Sequence, residues 1–110
     1  MCFLLLIFFN LKSYSQNTDK IKTIVIDPGH GGKDPGTLGT KRYTTYEKDI
    51  ALDISLKLGS YIEKYFPEVE VVYTRKTDVF LELWERTEIA NNRNADLFIS
   101  IHCDGFKNSN

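Results

Sequence analysis

Three apolar runs of strand length, separated by segments with helical spacing, limit what this chain can build. The first, predicted as a strand over Thr23–Asp27, contains an unbroken Ile24-Val25-Ile26 typical of a parallel strand covered on both faces. Val69–Thr74 and Asp96–Ile101 are predicted as the second and third strands. Between the first two, Ile50, Ala51, Ile54, Leu58, Tyr61, Ile62 and Tyr65 recur at helical spacing, which predicts a helix from about Glu47 to Phe66, buried along that stripe and stopped by Pro67. A second helix is predicted from Leu81 to about Asn92. Strands alternating with helices imply an α/β fold with a parallel sheet and right-handed crossovers. Three strands and two helices make a thin core, and no helical segment follows the third strand. The pattern therefore predicts an incomplete β-α-β-α-β portion of a larger domain.

The first fifteen residues stand apart. Residues 1–15 read as a signal peptide, with Phe3–Phe9 as the apolar core and small residues at Ser13 and Ser15, although no Lys or Arg precedes the core. The run is too short for a membrane span, so no stable span is expected after its removal. Residues 16–22 form a short linker and 23–110 the domain, which is expected to be exported to the periplasm or cell envelope. Removal of Cys2 leaves Cys103 alone, with no internal disulfide possible. Cys103 is read as a small residue near a strand end, facing away from its neighbour His102. A net charge of −1 and no basic tract longer than Lys41-Arg42 give no footprint for nucleic acid.

The chain has two histidines, and each closes an apolar strand. His30 follows the first and His102 the third, so both reach the carboxyl edge of the sheet, where ligand sites of open α/β sheets collect. Glu47 opens the first helix on the same edge. Ile50, Ala51 and Ile54 lie three, four and seven residues on, so this carboxylate heads the helix's buried stripe. Buried there, it needs a partner or a metal. It also fits a capping box over Thr44-Thr45-Tyr46-Glu47, and both readings stand at this point. Two imidazoles and a carboxylate match an open zinc shell, and nitrogen ligands favour Zn²⁺ over Mg²⁺ or Ca²⁺. Gly29-His30-Gly31-Gly32-Lys33 superficially suggests a phosphate-binding loop. Asp34 stands where a magnesium-binding hydroxyl would be needed, and Pro35 blocks a helix start there.

Asp27-Pro28-Gly29-His30-Gly31-Gly32-Lys33-Asp34-Pro35-Gly36, Glu47-Lys48-Asp49 and Ser100-Ile101-His102 resemble the zinc-dependent N-acetylmuramoyl-L-alanine amidases of bacterial cell-wall turnover (amidase type 3). Thr74-Arg75 with Asp78, and Leu83-Trp84-Glu85-Arg86 leading to Ala90-Asn91, are also similar to that family. The resemblance runs from about Thr23 to Asp104. It implies a three-layer α/β/α sandwich with a mostly parallel sheet, and zinc held by His30, Glu47 and His102. The implied reaction is hydrolysis of peptidoglycan, by a zinc-activated water, at the amide joining N-acetylmuramic acid to L-alanine. Asp27, Arg75 and Arg86 are expected to be structural.

Two departures stand out. Cys103-Asp104 replaces the family's small residue and Asn, leaving Asp104 as a candidate substrate contact that adds negative charge beside the metal. The family's catalytic glutamate lies well downstream of the last ligand, and no Glu follows His102 here. The chain thus resembles roughly the first half of the family's catalytic domain and is expected to be weakly active or inactive by itself. Alternatives are a non-catalytic zinc-dependent wall-binding or regulatory module, or a zinc deacetylase acting on the same polymer.

Overall fold

The structure, a computed structural model, describes residues 20–39 and 44–103. The signal peptide reading for residues 1–15, most of the linker, and Asp104 lie outside the described residues. Five elements follow one another: β1 (Thr23–Pro28), α1 (Glu47–Tyr65), β2 (Glu70–Tyr73), α2 (Leu83–Asn92) and β3 (Leu97–Ile101). The strands form one parallel sheet in the order β2-β1-β3, with Ile24 opposite Val71 and Leu97, and Ile26 opposite Tyr73 and Ile99. The chain therefore steps outward from β1 to β2 and then back across β1 to β3. With crossovers of one hand, that reversal places α1 and α2 on opposite faces. Arg86 of α2 reaches Asp27 on one face, while Tyr73 meets α1 at Gly59 on the other. The layers are thus helix, sheet and helix.

β1 sits at the centre, and Val25 and Ile26 are completely buried. The strand runs one residue past its predicted end. Pro28 is tolerated there because its missing N–H faces the β2 side, where β2 has already ended at Tyr73. Asp96 closes the opposite end of the sheet, its carboxylate accepting the backbone N–H groups of Lys22 and Thr23 at 2.7 and 2.9 Å.

The face that α1 buries differs from the predicted stripe. Glu47, Ala51, Ser55 and Gly59 are buried, whereas Ile54 is 45% and Tyr61 61% exposed. Ile50 and Tyr65 are exposed as well. A helix lying close against β1 needs small residues at the contact, and Gly59 leaves the space that the Tyr73 hydroxyl occupies. The apolar stripe is rotated away from the sheet by about one residue position.

Helix termini also depart from expectation. Tyr46 is the N-cap of α1 and makes no side-chain capping bond, so the capping box read at Thr44–Glu47 is absent. A capping box does occur on α2, where Glu82 and Glu85 satisfy each other's backbone N–H groups. That helix starts at Leu83, two residues later than predicted, because Glu82 takes the cap position. The remaining differences in element ends are single residues: α1 stops at Tyr65, β2 covers Glu70–Tyr73 and β3 begins at Leu97.

Candidate metal centre

The sheet order determines where the site lies. β1 and β3 are neighbours whose connections leave in opposite senses, so the crevice beyond their carboxyl ends is the switch point of the sheet. His30 lies two residues beyond β1 and His102 one residue beyond β3. Glu47, the first residue of α1, is 4% exposed and points into the same crevice. The structure brings these three predicted residues together. His30 Nε2 is 3.1 Å from Glu47 Oε1 and 3.2 Å from His102 Nδ1, and His102 Nδ1 is 3.3 Å from Glu47 Oε1. The three atoms form a nearly equilateral triangle. Zinc bonded at about 2.0–2.1 Å in a tetrahedron separates its ligand atoms by about 3.3 Å. Two imidazole nitrogens and a carboxylate oxygen converging at that spacing fit a zinc ion in both chemistry and size. The Cys103 thiol is not among the converging atoms.

Glu47 is prepared as an anion by the backbone around it. Burial raises its pKa, but the Cys103 N–H (2.8 Å, to Oε1) and the Thr37 N–H (2.8 Å, to Oε2), together with His30 nearby, outweigh that effect and hold it at about 2. These two amides take the role that the capping-box reading gave to the helix's own N-terminus.

The loop carrying His30 is fastened from beneath. Arg75 donates to the carbonyls of Pro28 (3.0 Å) and Gly29 (2.7 Å), and also to those of Lys48 and Thr77. Arg86 donates to the Pro28 and His30 carbonyls, both at 2.9 Å, and to the Asp27 carboxylate at 2.8 Å. Asp27 also accepts the hydroxyls of Thr74 (2.6 Å) and Ser100 (2.8 Å). Burial pushes the Asp27 pKa up, and these hydroxyl and guanidinium hydrogen bonds bring it below the usual carboxylate value. The two arginines and Asp27 thus tie loop and helix together, as a structural role requires. Farther out, Lys48 Nζ bridges the Gly32 carbonyl and Asp78, which in turn accepts the Gly32 N–H.

Three features here were not read from the sequence: the backbone of His30, the close approach of Gly36 and the contact between Asp34 and His30. His30 adopts a left-handed backbone (φ 60°), an uncommon conformation in which a non-glycine residue stores strain. Gly36 (φ 68°) lies against both His30 and Glu47; a Cβ there would stand 2.6 Å from His30 Cδ2 and 2.8 Å from Glu47 Oε2. Asp34 Oδ2 lies 2.8 Å from His30 Nδ1. Its spacing from His30, four residues away in a glycine-rich loop, was the available signal. Beside the imidazoles opens a cavity of about 560 Å³, walled by Phe80, Leu81, Leu83 and Phe98 and edged by Asp34 and Arg86. No helix among the described residues is long and apolar enough to cross a membrane.

Comparison with known proteins gives the family and the fold. The sequence profile of the N-acetylmuramoyl-L-alanine amidase family (Amidase_3) matches residues 24–110. N-acetylmuramoyl-L-alanine amidase AmiC of Escherichia coli O6:H1 is 46% identical over 88 residues, covering 80% of this chain and 20% of that protein. The catalytic domain of CwlV, an N-acetylmuramoyl-L-alanine amidase from Bacillus (Paenibacillus) polymyxa, superposes with a TM-score of 0.74 at 42% identity, covering 82% of this chain and 50% of that domain. AmiC2 of Nostoc punctiforme gives a TM-score of 0.72 at 42% identity, covering 79% of this chain and 46% of that one. The chain therefore spans about a fifth of its curated relative and about half of each solved domain. By sequence and by fold, it belongs to the N-acetylmuramoyl-L-alanine amidase family.

Proposed function

We propose that this chain is the metal-holding portion of an exported zinc amidase that hydrolyses the amide between N-acetylmuramic acid and the first L-alanine of peptidoglycan. The observation that carries the reading is the triangle of His30 Nε2, Glu47 Oε1 and His102 Nδ1, with edges of 3.1, 3.2 and 3.3 Å. Family membership supports the substrate class. Residues 1–15 support export as a signal sequence.

His30 and His102 would supply neutral nitrogens, and Glu47 the negative charge that offsets part of the ion's. A zinc ion held there supplies a Lewis acid for the scissile carbonyl and lowers the pKa of a water to near neutrality. The chain's own groups do the rest of the positioning. Thr37 and Cys103 keep Glu47 ionised and fix its Oε1 toward the imidazoles. Arg75 and Arg86 hold the His30 loop by its carbonyls. The cavity beside the imidazoles offers largely apolar walls against which the substrate can lie, keeping bulk water from the reacting carbonyl.

No residue in this chain is assigned the work of moving the proton. Only Asp104 among acidic residues follows His102, and in our reading it contacts substrate rather than serving as general base. The 110 residues on their own are thus expected to bind zinc and to turn over poorly or not at all.

Product analysis tests the proposal. The chain, joined to the second half of a solved amidase domain, is incubated with purified peptidoglycan. Release of stem peptides bearing free L-alanine amino termini, abolished by His30→Ala, is the expected result. Release of acetate without such termini would identify a deacetylase and overturn the amidase reading. Rapid stem-peptide release by the 110 residues alone would overturn their assignment as incomplete.

A further inference from the structure

Asp34 is only partly buried, yet both of its oxygens are committed. Oδ2 lies 2.8 Å from His30 Nδ1, and Oδ1 accepts the Gly36 N–H at 3.1 Å. Its backbone is fixed as well, because Asp34 and Gly31 exchange N–H···O bonds of 3.0 and 2.9 Å in an isolated bridge. The carboxylate therefore has little freedom to turn away from the ring.

An ionised carboxylate only accepts hydrogen bonds. A neutral His30 has one N–H for two facing carboxylates, and the shorter contact, 2.8 Å to Asp34 against 3.1 Å to Glu47, places it on Nδ1 and leaves a bare lone pair on Nε2. That lone pair faces Glu47 Oε1 at 3.1 Å, and Glu47 too is an acceptor only. Two acceptors aimed at one point repel unless a cation lies between them. Paired with Asp34, the ring carries its proton on the side away from the crevice and opens Nε2 to the ion. A partner that donated instead would move the proton to Nε2 and close the site. His102 differs: it turns Nδ1 inward, and no carboxylate among the described residues meets its Nε2.

The geometry points to Asp34 as the positioning residue for His30, holding the imidazole in the Nδ1–H tautomer so that Nε2 is available to the metal. This rests on the zinc reading of the site. Asp34 touches neither ion nor substrate in this account and acts through His30. Outer partners of this kind typically contribute 10–100-fold in metal affinity.

The variant Asp34→Asn separates the possibilities. Its side chain offers one acceptor oxygen where Asp34 uses two, so either Gly36 or His30 loses its partner, and an amide N–H facing His30 would drive the proton to Nε2. Zinc affinity of the full 110-residue chain is measured by competition with a chromophoric chelator. The tautomer of His30 in the metal-free protein, above the pH of imidazole protonation, is read from long-range ¹H–¹⁵N NMR correlations. The expected results are an Nδ1–H tautomer in the wild type, an Nε2–H or mixed population in Asp34→Asn, and a 10–100-fold weaker zinc affinity.

Weaker binding with an unchanged tautomer would overturn the proposal and leave Asp34 a loop-shaping role through Gly36. Unchanged affinity and tautomer would overturn it outright. If Asp34→Asn fails to fold, the wild-type tautomer still decides, since an Nε2–H ring there contradicts the assignment. Failure of the wild type itself to bind zinc would instead remove the metal reading beneath it.

Discussion

Replacing Arg86 with Met keeps the apolar stem but removes five hydrogen bonds at once: those to Asp27, Pro28 and His30 and two to the Leu81 carbonyl. Arg86 is 5% and Asp27 4% exposed, so the carboxylate left behind is largely shielded from water that could replace its ion pair. Unpairing a buried charge costs about 3–5 kcal/mol. Asp27 keeps the hydroxyl donors of Thr74 and Ser100, which argues for the lower end, about 3 kcal/mol. For a domain of this size, about 3 kcal/mol lowers Tm by roughly 12–24 °C. Urea unfolding followed by circular dichroism measures the change. The double variant Asp27→Asn/Arg86→Met supplies the sharper comparison, because with the carboxylate neutralised the missing guanidinium matters less. The double variant should therefore lose less than the sum of the two single losses, by about 1–3 kcal/mol. Arg86→Met within about 1 kcal/mol of wild type, or strictly additive losses, would refute the claim that this pair clamps β1 to α2.

Other expectations follow from single contacts. Gly36→Ala forces a side chain into a left-handed backbone, costing about 1–2 kcal/mol, and pushes on both His30 and Glu47; zinc titration should show weakened binding along with the stability loss. Gly59→Ala collides with Tyr73 far from the site, so it should destabilise by about 1–3 kcal/mol while leaving the zinc affinity of the folded protein unchanged. Acidification should also be informative. The Asp27 pKa is depressed below the ordinary Asp value of 3.8, so its contribution is complete above that pH and is lost as pH falls below it. Urea midpoints at pH 7, 4.5 and 3 should therefore drop mainly in the last interval, and less steeply in Asp27→Asn.

The parts of the fold legible in the sequence were those set by periodicity and punctuation. Ile24-Val25-Ile26 announces a covered central strand, Pro67 ends the region of α1, and the two histidines fall just beyond adjacent strands. Convergence of His30, Glu47 and His102 followed from putting three residues on one sheet edge. The face of α1 was not legible, because hydrophobicity marks Ile54 and Tyr61 while the actual contact selects Ser55 and Gly59 for their small size. That choice depends on where Tyr73 projects from a strand fourteen residues later in sequence, which local pattern does not encode. Glu47's partners were hidden for a similar reason: Thr37 and Cys103 offer backbone amides, and amides carry no sequence signature. Asp34 was visible as a residue but not as a partner of His30, since only the left-handed turn at His30 and the bridge from Gly31 to Asp34 bring the two side chains together.

The central claim is that His30, Glu47 and His102 together hold one zinc ion. X-ray absorption at the zinc edge of the chain loaded with one equivalent of metal tests it most directly. The account predicts only nitrogen and oxygen neighbours at about 2.0–2.1 Å, with two imidazoles among them, and loss of one imidazole in His30→Ala or His102→Ala. A sulfur neighbour at about 2.3 Å from Cys103, or a spectrum unchanged by both histidine variants, would contradict it.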